Sequence, residues 1–70
     1  MELKNFGLSL AKIRQTKDIS QYELSLRIGK SENYIHRVEN GGVNISIKAM
    51  FEICRELGIN PCELFSNWKA

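Results

Sequence analysis

"GKSENYIHRVENG", residues 29–41, is the stretch on which the fold turns. Two glycines bracket what reads as one short helix, residues 32–39. Ser31 stands where a cap for the free amides of its first turn belongs. Spacing the residues at roughly 100° about a helical axis gathers Tyr34, Ile35 and Val38 on one side. Asn33, His36, Arg37 and Asn40 fall on the other, with Glu32 at its edge. A plain surface helix more often carries Lys, Glu and Ala there, residues that solvate cheaply and favour the helix. This side instead holds nearly every kind of hydrogen-bonding side chain. The apolar side ties the segment to a core, and the polar side is left to meet another polar surface.

Outward from this segment, the punctuation predicts four more helices. One from about Glu2 to Gln15 carries Leu3, Phe6, Leu10 and Ile13 at three- and four-residue steps, hence on one face. "SQYE" at residues 20–23 has the capping-box pattern, with Ser20 capping the next amides and Glu23 reaching back. Leu24 and Ile28 then form a buried stripe with small Ser25 alongside, and Gly29 ends the helix in a left-handed turn. Ser46 starts a helix to Leu57 that buries Ile47, Met50, Ile53, Cys54 and Leu57, and Gly58 closes it. The last helix opens with "NPCE": Asn60 caps, Pro61 takes the first helical position, Glu63 completes a second box, and Leu64, Phe65 and Trp68 follow. "VNISI" alternates too briefly for a strand. Without repeat or linker, residues 1–70 read as one all-α domain of five helices. Helices two and three, joined through a glycine turn, have the outline of a helix-turn-helix.

Composition narrows the function by exclusion. Seventy residues make a core that is marginal unless well packed or shared with a partner. Cys54 and Cys62, with a single histidine, match no zinc or disulfide framework, so neither metal nor cofactor is expected. Two free thiols suit a reducing cytoplasm, and nothing resembles a signal peptide or a membrane span. The expectation is a soluble cytoplasmic chain. An enzyme would need an acid pair, more histidine or a glycine-rich phosphate loop, and all three are missing. A domain this small also leaves little room for a substrate or small-molecule pocket. The net charge of +2 falls short of what holding DNA by charge alone requires. Its placement is informative: residues 1–40 hold seven basic and five acidic residues and carry the whole excess, whereas residues 41–70 hold three of each.

The order of residues carries more than the outline. Arg14 comes after the apolar pair Leu10 and Ile13, "SQ-x-EL" runs from Ser20 to Leu24, and "G-x-S" from Gly29 to Ser31; "YI-x-x-VENG" spans Tyr34 to Gly41, and "LGI-x-x-x-ELF" spans Leu57 to Phe65. Together, over roughly Phe6 to Phe65, these resemble the phage repressor and Cro family of helix-turn-helix proteins, the Xre-like group. The resemblance implies a five-helix repressor-like bundle whose third helix lies in the major groove of double-stranded DNA, as a homodimer on a pseudo-palindromic operator. It also implies repression rather than activation. Glu32, Asn33 and Arg37 match positions that face bases. Gln21, Lys30, Ser31, His36, Asn40 and Gly41 fall where the DNA backbone approaches, Gln21 also bracing the recognition helix. Arg14 and Glu39 match an ion pair tying helix one to the end of helix three. Phe65 and Trp68 fall where the dimer contact is expected.

Chemistry agrees with that assignment. Arginine can donate twice to guanine O6 and N7, and asparagine can pair with adenine N6 and N7. Amides and helix N-termini fix register on phosphates without reading sequence. Two departures stand out. The loop "GGVNI" lacks the Lys or Arg of many relatives, which predicts modest affinity or reliance on the avidity of a dimer. Ile45 replaces a common proline.

Plainer readings stand beside these. Arg37 can be a solvated surface arginine, Glu32 a capping residue and no more, His36 a side chain in water, and Cys54 a small core residue. Tyr22 and Leu26, four residues apart and off the Leu24/Ile28 stripe, are either incidental or a partner-binding patch. That pair, the thin charge excess and the bare loop favour a second function: a protein-interaction module of the same fold, such as an antitoxin-like subunit.

Overall fold

The computed structural model describes residues 2–64, with side chains for residues 5–61, 63 and 64. Phe65 and Trp68, the expected dimer anchors, lie outside the described residues, as do the side chains of Leu3 and Cys62. Four helices, α1 (Glu2–Thr16), α2 (Gln21–Arg27), α3 (Tyr34–Glu39) and α4 (Ile47–Leu57), are followed by a single helical turn, α5 (Pro61–Leu64). All regular structure among the described residues is helical. Of the expected fifth helix, the described residues hold that one turn.

Each element sends one wholly buried apolar side chain to a common centre: Leu10, Leu24, Ile35, Ile53 and Leu64. Burying a side chain of this size contributes about 1.5–3 kcal/mol. The short elements hold their places through this shared core, since isolated helices of such length are unstable in water. Helix α3 packs on α1 and α2, and α5 packs on α1 and α4.

Local chemistry explains most of the boundaries. Ser20, in extended backbone, accepts from the Glu23 amide at 3.0 Å. Glu23 does not return the bond; its carboxylate pairs with Arg27 one turn on, a competing i,i+4 contact on the exposed face. Only half of the first predicted box is therefore made. In the second, the half that forms is the return bond, from the Asn60 amide to Glu63 Oε2 at 3.0 Å. Ser46 caps Ala49 at 3.1 Å as expected. Helix α4 departs from the predicted stripe. Ala49, Ile53, Cys54 and Leu57 are buried, Met50 only partly, and Ile47 is 71 % exposed. The buried stripe is centred on Ile53, and at 100° per residue Ile47 falls well to one side of it.

Two features fix how α3 meets its neighbours. Gly29 sits at φ +73°, and this left-handed step turns the chain from α2 toward α3. Gly7, on the buried face of α1, lies against the last turn of α3. A Cβ there would stand 2.3 Å from the Glu39 carbonyl oxygen and 2.8 Å from its Cα. Backbone touches backbone at that crossing.

Candidate nucleic-acid interface

The predicted division of the recognition segment is present in the structure. Ile35, Val38 and Glu39 are buried, while Glu32, Asn33, His36, Arg37 and Asn40 are exposed. Its start differs from expectation. The helix begins at Tyr34, not Glu32, because the Tyr34 amide closes a tighter turn onto the Ser31 carbonyl at 3.0 Å. Ser31 does not cap; its hydroxyl donates to Asn33 Oδ1 at 3.1 Å, and Asn33 at the cap position makes no capping bond with its side chain. Glu32 and Asn33 therefore project from the turn that leads into α3, ahead of the helix itself.

What caps α3 comes from elsewhere. The Ile35 amide donates to Ser25 Oγ at 2.9 Å, while the Ser25 hydroxyl donates to the Gln21 carbonyl at 2.8 Å. Ser25 is completely buried. Reading it as a small neighbour of the α2 stripe missed this role; the available signal was a hydroxyl in an otherwise apolar row, since a buried hydroxyl needs a partner.

A carboxylate anchors the other end. Glu39, with its side chain 6 % exposed, accepts from Arg14 Nε at 2.6 Å and Nη2 at 3.2 Å, and from Gln21 Nε2 at 2.7 Å. Arg14 Nη1 also donates to the Ile19 carbonyl at 2.8 Å, just past the turn where Asp18 takes φ +60°. One guanidinium thus joins α1, the loop to α2 and the end of α3. Gln21 spends its amide nitrogen on this cluster, so bracing is the work its N–H performs.

Toward solvent, the groups differ in how free they are. The Arg37 guanidinium makes no hydrogen bond or ion pair among the described residues, and neither does the Glu32 carboxylate. Lys30 lies over the Tyr34 ring, its Nζ 5.4 Å from the centroid, a distance at which a cation is attracted to the ring face. Burial, with Glu52 adding to it and Arg37 opposing, pushes the Tyr34 phenol above its ordinary value of 10.0, so it remains a hydroxyl at neutral pH. Asn40 Nδ2 donates to the His36 carbonyl at 2.9 Å and lies 3.1 Å from His36 Nε2. The Asn40 and Gly41 amides close onto His36 and Val38, and the Gly42 amide onto Arg37. The Asn40 and Gly41 amides were expected to approach a phosphate, yet each already has a partner within the turn.

A short helix, held at both ends by neighbouring helices, thus presents an uncommitted arginine side chain to solvent. The helix-turn-helix family model matches residues 10–64. The chain belongs to the Xre/Cro-like helix-turn-helix family. Its class of function is that of a DNA-binding transcriptional regulator. Among curated family members it is similar to control protein C.MunI of Mycoplasma sp, at 38 % identity over 63 residues, covering 89 % of this chain and 85 % of that protein. It is also similar to the uncharacterized HTH-type transcriptional regulator y4dJ of Sinorhizobium fredii, at 31 % identity over 61 residues, 87 % of this chain and 79 % of that one. Among solved structures, the restriction-modification controller protein C.AhdI of Aeromonas hydrophila superposes with a TM-score of 0.86 at 34 % identity. That match covers 91 % of this chain and 97 % of the other. Among the described residues no helix is long and apolar enough to cross a membrane.

Proposed function

We propose that this family member is a cytoplasmic, sequence-specific repressor that binds a pseudo-palindromic operator as a homodimer, with the exposed side of α3 in the major groove. The observation that carries the reading is the unpaired Arg37 guanidinium, exposed on a helix whose other side is locked by Ile35, Val38 and Glu39. In the groove, Arg37 reads guanine. Asn33 gives up its exposed bond from Ser31 to pair with adenine, and Glu32 accepts from a cytosine amino group. Lys30, Ser31 and His36 face the backbone, together with Gln21 and the turn at Asn40 and Gly41, and set register there without reading sequence. The reading includes the five-helix form of the bundle, with α5 as the start of its last helix.

Dimerisation is supported by the surface of α4. Ile47 and Phe51, one turn apart, are 71 % and 58 % exposed, and a second copy covering them would bury apolar area that a core this small leaves in water. Phe65 and Trp68 join that contact in this reading. Likeness to two controller proteins supports a restriction–modification system as the regulated target.

Selection of bound duplexes from a random pool, at near-physiological salt, tests the function. The expected product is a two-fold symmetric consensus with half-sites one helical turn apart, about 34 Å, bound with an affinity that falls steeply as salt rises. A pool that never converges would overturn sequence-specific reading; a single unrepeated half-site would overturn the dimer. A consensus lying nowhere near nuclease or methyltransferase genes would remove the restriction–modification target.

A further inference from the structure

We propose that Ser25 is a positioning residue for the reading side of α3: its hydroxyl sets the angle at which Glu32, Asn33 and Arg37 are presented. The inference rests on the major-groove reading above and goes beyond it in naming what aims the helix.

An apolar side pressed into a core fixes which way a helix faces only loosely, because packing contacts are not directional. Directional bonds supply what packing leaves open. At its C-terminal end α3 has Glu39, held by Arg14 and Gln21. At its N-terminal end, the bond from another helix is that of the Ile35 amide to Ser25 Oγ at 2.9 Å. Asn33 at the cap position makes no capping bond with its side chain. Helix α2 therefore grips α3 twice. As α2 advances one turn from Gln21 to Ser25, its partner on α3 retreats one turn from Glu39 to Ile35.

The bond is also unambiguous in sense. An amide can only donate, so Ser25 Oγ must accept, and its own proton goes to the Gln21 carbonyl at 2.8 Å. Ser25 has no exposed surface, so bulk water does not stand in for the hydroxyl when it is removed. The Ile35 amide then needs another acceptor, and the first turn of α3 shifts or loosens to find one. Asn33, two residues before Ile35, and Arg37, two residues after it, move with that turn.

Three forms should be compared on a duplex chosen from the random pool and on a random duplex, at a temperature where circular dichroism shows all of them folded. They are the wild type, Ser25→Ala and the core variant Ile53→Val, which lowers stability without touching either α2–α3 bond. Ser25→Ala is expected to lose about tenfold in discrimination, the size of one weakened base contact. The loss falls on the chosen duplex, with random-duplex affinity and salt slope kept; Ile53→Val keeps full discrimination. Without DNA, amide hydrogen exchange at Ile35 quickens in Ser25→Ala, while that of Met50, bonded to the Ser46 carbonyl at the start of α4, does not. Should Ser25→Ala melt too low, Ser25→Cys, which keeps a weak acceptor in place, replaces it in both arms. Equal losses on the two duplexes, or discrimination equal to that of Ile53→Val, would overturn the proposal. A wild type with no sequence preference would sink the DNA reading instead; unchanged Ile35 exchange in Ser25→Ala would still, by itself, overturn the anchoring role.

Discussion

Arg14→Met is the substitution with the most calculable consequence. The Arg14 guanidinium supplies two of the three bonds that Glu39 accepts, and the pair's side chains are 11 % and 6 % exposed. Removing one partner of a buried pair typically costs about 3–5 kcal/mol, because the other charge is left without compensation. Gln21 remains on Glu39, so the low end, about 3 kcal/mol, is the expected loss. A domain of this length has a stability of about 4–10 kcal/mol and an unfolding entropy of roughly 0.15 kcal/mol per kelvin. The loss is then a fall in Tm of about 20 °C. Replacing both partners, Arg14→Met with Glu39→Met, leaves no stranded charge and should cost less than Arg14→Met alone. Thermal and urea unfolding of the two single variants and the double variant close a cycle whose coupling measures the pair. Single losses below about 1 kcal/mol that simply add, within roughly 0.5 kcal/mol, would refute the claim that this cluster holds α3 to α1.

Three further outcomes are expected. Gly7→Ala should destabilise the fold by about 2 kcal/mol or more in urea unfolding, because its Cβ meets the Glu39 backbone rather than a side chain that can swing away; a loss under about 0.5 kcal/mol would mean that α1 and α3 do not cross so closely. Burial, and secondarily Glu63, raises the Cys54 thiol above its ordinary 9.0, so the unfolded chain gives up that proton first and stability, complete below pH 9, falls as pH climbs through the folded value. Cys54→Ala should flatten the first part of this alkaline fall and leave the part belonging to Tyr34, whose ordinary value is 10.0; an unchanged curve would show that the thiol is not linked to folding. Phe51→Lys, at a solvent-exposed position, should change stability by no more than about 0.5 kcal/mol while shifting sedimentation equilibrium toward monomer, and undiminished association would remove α4 from the dimer contact.

The parts of the fold that could be read in advance are those written in local chemistry. Ser20 and Ser46 cap because a hydroxyl at that position has amides to accept from. Ile35 and Val38 turn inward because helical spacing puts them on one side. The Arg14–Glu39 pair, 25 residues apart in sequence, was reachable only through the family resemblance, since no local pattern links the two. Features that escaped depend on what lies across a contact. Gly7 looks like an indifferent glycine inside a helix until α3 is laid on it. Ser25 looks merely small until the Ile35 amide arrives. The start of α3 was placed two residues early because Ser31 resembles a cap in sequence, whereas the turn around it engages the Ser31 carbonyl instead of its hydroxyl. Ile47 was assigned to the core by residue type, although its angle on α4 carries it to the surface.

Sequence-specific binding by α3 requires Arg37 to be held outward to read a base. Its most direct test is Arg37→Ala, titrated in parallel against the chosen operator and a random duplex of equal length. A loss of about 1–3 kcal/mol on the operator, with random-duplex binding nearly unchanged and specificity relaxed at one base pair in each half-site, is the predicted result. Equal loss on both duplexes would reduce Arg37 to a phosphate contact, and no loss on either would contradict the central claim.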